Sequence, residues 1–268
     1  MASDSNRRIL LVALAVCAVC SVLVSLAAVG LKPLQVENQR MDKLRNILAA
    51  GGLLGPGVDA GDTYNNRIRA VFIDLASGTL MDPAKIPAGV TPVTFNFLRL
   101  AADETTGMTI PGAEDLARMK RRPKFMPVYM VIDESQKVTK VILPVAGKGL
   151  WSTMFGFLAL DADLRTIRGF TFYEHGETPG LGGEIDNPRW QKKWHGKFAF
   201  DEDGALAIEV LRGSVEPGDP REGYRVDGIS GATKTTQGVQ DLVRFWLGKN
   251  GYGPFLETSA QEGLHAAR

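Results

Sequence analysis

Hydrophobic positions near the N-terminus form one uninterrupted apolar run. It extends from Ile9 to Leu31, 23 residues without a charged side chain. At about 1.5 Å rise per residue, a helix of this length crosses a hydrocarbon core of roughly 30 Å. A cleavable secretory signal is the alternative, but the apolar region of a signal is typically about 7–15 residues long. The run therefore favours an uncleaved transmembrane helix over residues 9–31, preceded by a short tail over residues 1–8.

Apolar residues at helical spacing predict further helices. One continues after Pro33 until the Gly- and Pro-rich stretch 49–61 ends it; its apolar positions are Leu34, Met41, Leu44, Ile47 and Leu48. An amphipathic helix is predicted from Thr235 onward, with apolar positions Val239, Leu242, Val243, Trp246 and Leu247. A short helix is predicted at Asn187 as N-cap, with Pro188 at its first position.

Between these helices, β-branched and aromatic runs separated by turn residues are typical of strands. The predicted strands lie within residues 67–78, 126–133, 137–145, 155–161, 164–175 and 205–213. The second and third are joined at residues 133–137, "DESQK", which predicts a hairpin. Few crossover helices intervene, so the fold class expected is α+β, with a largely antiparallel sheet and flanking helices. Residues 251–268 are expected to form a C-terminal tail.

Charge and cysteine content restrict the partners. The chain has 31 Lys and Arg against 30 Asp and Glu, so no nucleic-acid partner is expected. Both cysteines, Cys17 and Cys20, lie inside the apolar run. The rest of the chain therefore has no cysteine-ligated metal or cysteine nucleophile, and no metal site is expected.

Flanking charges leave the orientation of the span open. Arg7 and Arg8 precede it, and four basic residues follow it, namely Lys32, Arg40, Lys43 and Arg45. A simple positive-inside count puts the C-terminal part in the cytoplasm. Large domains, however, cross membranes largely regardless of flanking charge.

The stretch "DGISGATKTTQGV", residues 227–239, is the main candidate for chemistry because a hydroxyl-rich turn there precedes the amphipathic helix. It departs from the nucleophile elbow G-x-S-x-G at Ala232, and the histidine that follows it is His265, near the C-terminus. It departs from the nucleotide P-loop at Thr233, where a glycine is required. Two interpretations remain: a phosphate site at the helix N-terminus assisted by Lys234, or a helix capped by Thr235 or Thr236.

The segment "DGISGATKT" resembles the flavinylation motif Asp-x-x-Ser/Thr-Gly-Ala-Thr-x-Ser/Thr. That motif belongs to the FMN-binding domain family found in the C subunit of the sodium-translocating NADH:quinone oxidoreductase and in the related G subunit of the Rnf complex. Two upstream segments, "GKGLWSTM" at 147–154 and "HGETPGLGGEI" at 175–185, are similar to the family segments that shape the flavin pocket. The resemblance covers most of the chain, and the long region between span and motif favours the reductase C subunit over the Rnf subunit.

The resemblance implies that FMN is attached covalently, through a phosphoester, to Thr235. The other motif residues implied to bind the cofactor are Asp227, Ser230, Gly231, Ala232, Thr233 and Lys234. The upstream residues implied to bind it are Trp151, Ser152, Glu177, Thr178, Leu181 and Gly182. Glu177 and Thr178 would form hydrogen bonds near the ring system or the ribityl chain, and Leu181 would pack on the ring. No catalytic residue beyond the flavin is implied, and His175 has no assigned role.

At the level of function, the resemblance implies a single-pass protein of the bacterial inner membrane. An FMN-binding domain over residues 32–250, with its flavin site mainly in 145–247, would face the periplasm, and residues 1–8 would be a cytoplasmic tail. It would relay electrons from a membrane iron centre to another flavin subunit. Its partners would be the other membrane and flavin subunits and an extracytoplasmic FMN transferase. The alternatives are an Rnf-type subunit, a stand-alone flavin carrier or reductase, and a non-redox, membrane-tethered binding module.

Overall fold

The computed structural model describes the backbone of residues 2–264 and the side chains of residues 6–264. The helices are α1 (Ala2–Ala50), α2 (Ala60–Arg67), α3 (Phe97–Ala102), α4 (Pro188–Gln191), α5 (Thr233–Leu247) and α6 (Gly253–Glu262). The strands are β1 (Ile68–Asp74), β2 (Gly107–Thr109), β3 (Arg121–Pro123), β4 (Phe125–Ile132), β5 (Val138–Lys148), β6 (Thr153–Asp161), β7 (Ile167–Glu174), β8 (Glu209–Val210) and β9 (Arg225–Val226). Short 3-10 helices cover Pro83–Lys85, Gly182–Asp186, Lys192–Trp194 and Glu222–Tyr224.

The chain divides into two compact units, residues 1–42 and residues 43–268. The first consists of the N-terminal part of α1, which passes Pro33 without interruption, as predicted. Among the described residues, α1 is the one helix long and apolar enough to cross a membrane. The side chains from Ile9 to Leu31 are all exposed within the chain, as expected where lipid or another protein supplies the apolar surroundings.

The second unit is built on a five-stranded antiparallel sheet with strand order β1-β4-β5-β6-β7. The last four strands follow one another in sequence as a meander, and β1 pairs with β4 at one edge. Residues 133–137 connect β4 to β5, so the predicted hairpin is confirmed. The predicted fold class, α+β with a largely antiparallel sheet, is confirmed as well.

Both faces of the sheet are covered, which explains why its central strands are apolar at nearly every position. Every residue of β4 is buried. On one face, Gly51, just after α1, lies against Val131 and Ile142. On the other face, Leu242 of α5 lies against Gly147, and Trp246 Nε1 donates a hydrogen bond to Ala146 O at 2.7 Å. Helix α5 is thereby held across the end of β5.

Two predicted segments differ from the structure. The strand expected over 205–213 is limited to β8, which pairs in parallel with β9. The side chain of Gln240 takes over part of the pairing there: Val210 N donates to its Oε1, and its Nε2 donates to Ile208 O at 3.3 Å.

The prediction of a C-terminal tail over residues 251–268 is wrong for the part of it that forms α6. This helix has Pro254 in its first turn and buries the side chains of Phe255 and Leu256. The polar residues near the C-terminus had indicated an unstructured tail. Burial of two large apolar side chains instead stabilises a helix there. His265 lies outside the described residues.

Candidate functional site

The turn at residues 227–232 leads into an uncapped helix. The N-cap residue of α5 is Ala232, which has no side-chain hydrogen bond to offer. An α-helix leaves its first four N–H groups without intrahelical partners, so this end is open to an anionic group. Gly231 has φ of 73°, a left-handed conformation that glycine adopts easily. The predicted alternative, in which Thr235 or Thr236 caps the helix, is wrong, because Ala232 is the N-cap and both threonines lie inside the first turn.

The hydroxyl of Thr235 is buried against a carboxylate. Thr235 is 1% exposed, and its Oγ1 donates to Glu177 Oε2 at 2.5 Å. Glu177 is 4% exposed and accepts three backbone N–H groups as well. Leu150 N donates to Oε2 at 3.1 Å, while Trp151 N at 2.9 Å and Ser152 N at 3.1 Å donate to Oε1. Four donors therefore fix one carboxylate beside one hydroxyl.

The electrostatics of this pair favour an ionised Glu177. Burial raises the pKa of the carboxyl, but the hydrogen bonds from Thr235 and the three amides outweigh burial. The pKa of Glu177 therefore lies below its ordinary value, because those bonds stabilise the charged form. At neutral pH the carboxylate accepts, and Thr235 is the donor.

The adjacent Thr236 has a different role, although it is equally buried. Its Oγ1 accepts a hydrogen bond from Ile229 N at 3.1 Å, which closes the turn that leads into α5. Of the two neighbouring hydroxyls, one supports the backbone, and the other points to Glu177.

Residues 175–186, here termed the strap, cross over the Thr235 hydroxyl. Gly182 lies so close that a Cβ there would overlap Thr235 Oγ1 and would lie 2.9 Å from Glu177 Oε2. Only glycine fits such an approach without displacement. The strap therefore closes over Thr235 because of one missing side chain.

The ends of the strap are joined by a histidine. His175 Nε2 lies 2.6 Å from Asp186 Oδ2, and Glu177 N donates to His175 Nδ1 at 3.2 Å. Because Nδ1 accepts, the proton of a neutral ring is on Nε2, facing Asp186. Gly176 N also donates to Ser152 Oγ at 2.6 Å. His175, for which no role was predicted, is thus part of the strap.

The other predicted residues have exposed side chains, with one exception. Trp151 is 71% exposed, and Leu181 is about half exposed. The exposed polar residues are Thr178, Ser230, Thr233 and Lys234. Asp227 is the exception: it pairs with Lys193 at 2.5 Å and accepts from Val215 N at 2.7 Å, so its carboxylate supports the turn.

Sequence reasoning missed Gly238, which determines where α5 can lie. A Cβ at this residue would lie 2.5 Å from Lys148 O, at the end of β5. The signal was present in the pattern: a glycine within an amphipathic helix is unfavourable by about 1 kcal/mol and suggests close packing.

The arrangement suits a flat aromatic group that carries a phosphate. An uncapped helix end, a hydroxyl and the exposed Lys234 could hold the phosphate. Trp151 and Leu181 offer exposed apolar surface to a ring, and Glu177 connects Thr235 to the backbone of Trp151 through its two carboxylate oxygens. The residues present therefore fit a flavin mononucleotide.

Comparison with known proteins agrees with this geometry. Residues 149–248 match the FMN-binding domain family. The chain is 49% identical over 256 residues to the C subunit of the Na(+)-translocating NADH-quinone reductase of Pseudomonas aeruginosa, covering 94% of this chain and 95% of that protein. It is 44% identical to the C subunit of the Yersinia pestis reductase, with coverage of 98% and 96%. The chain belongs to this C-subunit family.

Solved structures place the fold in the same family. The crystal structure of Shewanella oneidensis NqrC superposes with a TM-score of 0.74 at 34% identity, covering 83% of this chain and 98% of that one. The reductase C subunit from Parabacteroides distasonis gives a TM-score of 0.62 at 28% identity, with coverage of 84% and 96%. The resemblance to the C-subunit family is confirmed, and residues 149–248, which contain Thr235 and the strap, are an FMN-binding domain.

Proposed function

We propose that this chain is the membrane-anchored electron-transfer subunit of a sodium-translocating NADH:quinone reductase and carries FMN as a phosphoester on Thr235. The observation that carries the proposal is the Thr235 hydroxyl in the first turn of the uncapped helix α5. It lies within the FMN-binding domain and takes no part in closing the turn, which is the function of Thr236.

The chain's own residues bind and orient the cofactor. The N-terminal amides of α5 and Lys234 stabilise the phosphate charge. Trp151 and Leu181 provide the apolar contact for the ring, and Glu177 and Thr178 provide hydrogen-bonding groups near the ring system or the ribityl chain. When bound, FMN supplies one-electron redox chemistry, and the protein supplies position and electrostatics.

Intact mass with peptide mapping tests the attachment. The full chain is expressed with an FMN transferase, and Thr235→Ala is compared with Thr236→Ser. The second variant is a matched control, since serine keeps the hydroxyl that accepts from Ile229 N. We expect the wild type and Thr236→Ser to carry one FMN on the peptide containing residue 235, and Thr235→Ala to carry none. Flavin retained by Thr235→Ala on a denaturing fluorescent gel would refute the assignment.

The cellular side of the domain is part of the proposal. An extracytoplasmic transferase requires that the FMN-binding domain face the periplasm of the inner membrane, with Arg7 and Arg8 in the cytoplasm. A C-terminal alkaline phosphatase fusion should be active, and a C-terminal green fluorescent protein fusion exported through the same membrane should be dark. The reverse pattern would mean a cytoplasmic domain.

The partners follow from the same proposal. Electrons would come from an iron centre in a membrane subunit and pass to another flavin subunit. The reductase relatives align with at least 94% of this chain, which favours this assembly over an Rnf-type complex or a stand-alone carrier. Co-purification of the tagged chain with multi-span membrane subunits is expected; purification alone, with flavin attached, would favour the stand-alone carrier.

A further inference from the structure

The hydrogen bond between Thr235 and Glu177 cannot survive esterification unchanged. At 2.5 Å it is a short, charge-assisted bond, in which one proton lies between two oxygen atoms. A phosphoester on Thr235 Oγ1 removes that proton from the threonine. The two oxygens would then repel each other, unless the proton is retained on Glu177 or the side chains separate.

We propose that Glu177 is a catalytic residue for the attachment itself, accepting the proton of Thr235 as the ester forms. The inference rests on the proposed function. Thr235 Oγ1 forms a bond to the phosphorus of a phosphoanhydride of FMN, such as a flavin dinucleotide. The anhydride P–O bond breaks, and the departing phosphate keeps the electron pair. The hydroxyl proton goes to Glu177 Oε2, and no oxidant or reductant is needed.

A carboxylate of ordinary or low basicity is sufficient for this step. In protein kinases, whose reaction is also attack of a hydroxyl on the phosphorus of a phosphoanhydride, an aspartate accepts the proton of that hydroxyl. Glu177 is already at hydrogen-bonding distance and is held by the amides of residues 150–152. Such fixed placement is the main contribution a protein makes to this chemistry.

Phosphate charge near Glu177 then favours the protonated form. Attachment removes one of the four hydrogen bonds that stabilise the carboxylate and places an anion beside it. Both changes raise the pKa of Glu177. Proton transfer and bond formation therefore support each other.

Access to Thr235 and the position of Glu177 can be separated. Gly182 covers the hydroxyl, so the middle of the strap must move before a phosphorus atom can reach Oγ1. Glu177 is itself a strap residue, but its carboxylate is held from outside the strap by the amides of residues 150–152. The part of the strap around Gly182 can therefore move while the carboxylate keeps its place.

The test measures the initial rate of covalent flavin incorporation into the full chain in detergent. The transferase is limiting, a flavin dinucleotide is the donor, and flavin is quantified by mass and in-gel fluorescence. Loss of a general base typically costs about 10²–10⁴-fold in rate, which is the loss expected for Glu177→Gln. Glu184→Gln is the matched control, since this carboxylate lies on the same strap but bonds to Asn187 Nδ2. It should react at the wild-type rate.

Chemical rescue distinguishes proton transfer from support of the fold. Glu177→Ala leaves the three amides facing an open space that suits a small carboxylate, and added formate should raise its incorporation rate. A structural loss would not respond to formate. A Glu177→Gln rate equal to wild type, or a folded Glu177→Ala without rescue, overturns the inference. An absence of covalent flavin in the wild type would instead defeat the proposed function.

Discussion

The central sheet and the flavin site are held together by different forces. Strands β4, β5 and β6 are buried on both faces by apolar side chains. The strap and the turn before α5 depend on hydrogen bonds to Glu177, Asp227 and Thr236, and on glycines in close contact. Apolar packing stabilises the fold over many contacts, whereas the site relies on a few directional ones. Substitutions should therefore affect stability in the first region and flavin attachment in the second.

Two tryptophans give the largest contrast in stability. Trp246 is 0% exposed, and its loss would leave a cavity and the Ala146 carbonyl without its donor. Trp246→Ala should lower the free energy of unfolding by about 3–5 kcal/mol. Trp151→Ala, at a 71% exposed residue, should change it by less than about 0.5 kcal/mol. Urea unfolding of the flavin-free protein measures the free energy of unfolding of both variants. Similar losses in the two would contradict the proposed difference between the sheet and the flavin site.

Gly182→Ala tests the closure of the strap. The added methyl group would overlap Thr235 Oγ1, so the strap should shift and separate Thr235 from Glu177. We expect a cost of about 1–3 kcal/mol in stability and a lower fraction of covalently flavinylated protein. Gly213→Ala is the control, because open space surrounds that position. Normal flavin content in Gly182→Ala would show that close contact is unnecessary.

The depressed pKa of Glu177 predicts acid sensitivity. The unfolded chain binds a proton near the ordinary value of 4.5, and the folded chain binds it only at lower pH. Stability from this group is therefore present above about pH 4.5 and is lost as pH falls through the folded pKa. In flavin-free protein below pH 4.5, the free energy of unfolding of Glu177→Gln should depend less steeply on pH than that of the wild type. Thr235→Val, which removes one of four donors, should give an intermediate slope; identical curves would contradict the assignment.

Lys193→Ala should have the smallest effect. Its ion pair with Asp227 is half exposed on the lysine side, and such pairs contribute about 0.2–1 kcal/mol. Asp227→Ala should cost more, because Val215 N also loses its acceptor. The melting temperatures of the two variants, measured at low and high salt, test this order. If Lys193→Ala lowered the melting temperature more than Asp227→Ala, the ion pair, and not the bond to Val215 N, would be the main support of the turn.

The sheet and the helices were predictable from sequence because their signals are local. The strands from β4 to β7 were each marked by an apolar run, and the spacing of Val239, Leu242 and Trp246 specified α5. The limited extent of β8 was not predictable, since the side chain of Gln240, 30 residues further along, takes the hydrogen bonds of a strand neighbour. Helix α6 was missed because burial of Phe255 depends on the rest of the fold.

The residues that form the candidate site were predictable from the sequence, but the contacts that each of them makes were not. Motif resemblance brought together Thr235, Glu177 and Gly182, which the structure places in contact. It could not indicate that Thr236 closes the turn, or that Asp227 bonds to Lys193. Those roles depend on which way each side chain points, and spacing along the chain does not determine that. Gly238 was overlooked because its role is the absence of a side chain.

The contact between Gly238 and the carbonyl of Lys148 has a consequence for electron transfer. Helix α5 lies in direct backbone contact with the end of β5 at this point, since no methyl group would fit between the two backbones. A flavin esterified one turn earlier, on Thr235, would be joined through a single oxygen to a helix whose distance from the sheet is set by this contact. Tunnelling rates fall steeply with the separation of donor and acceptor. A glycine that contacts no cofactor thus helps to set how far an electron has to travel.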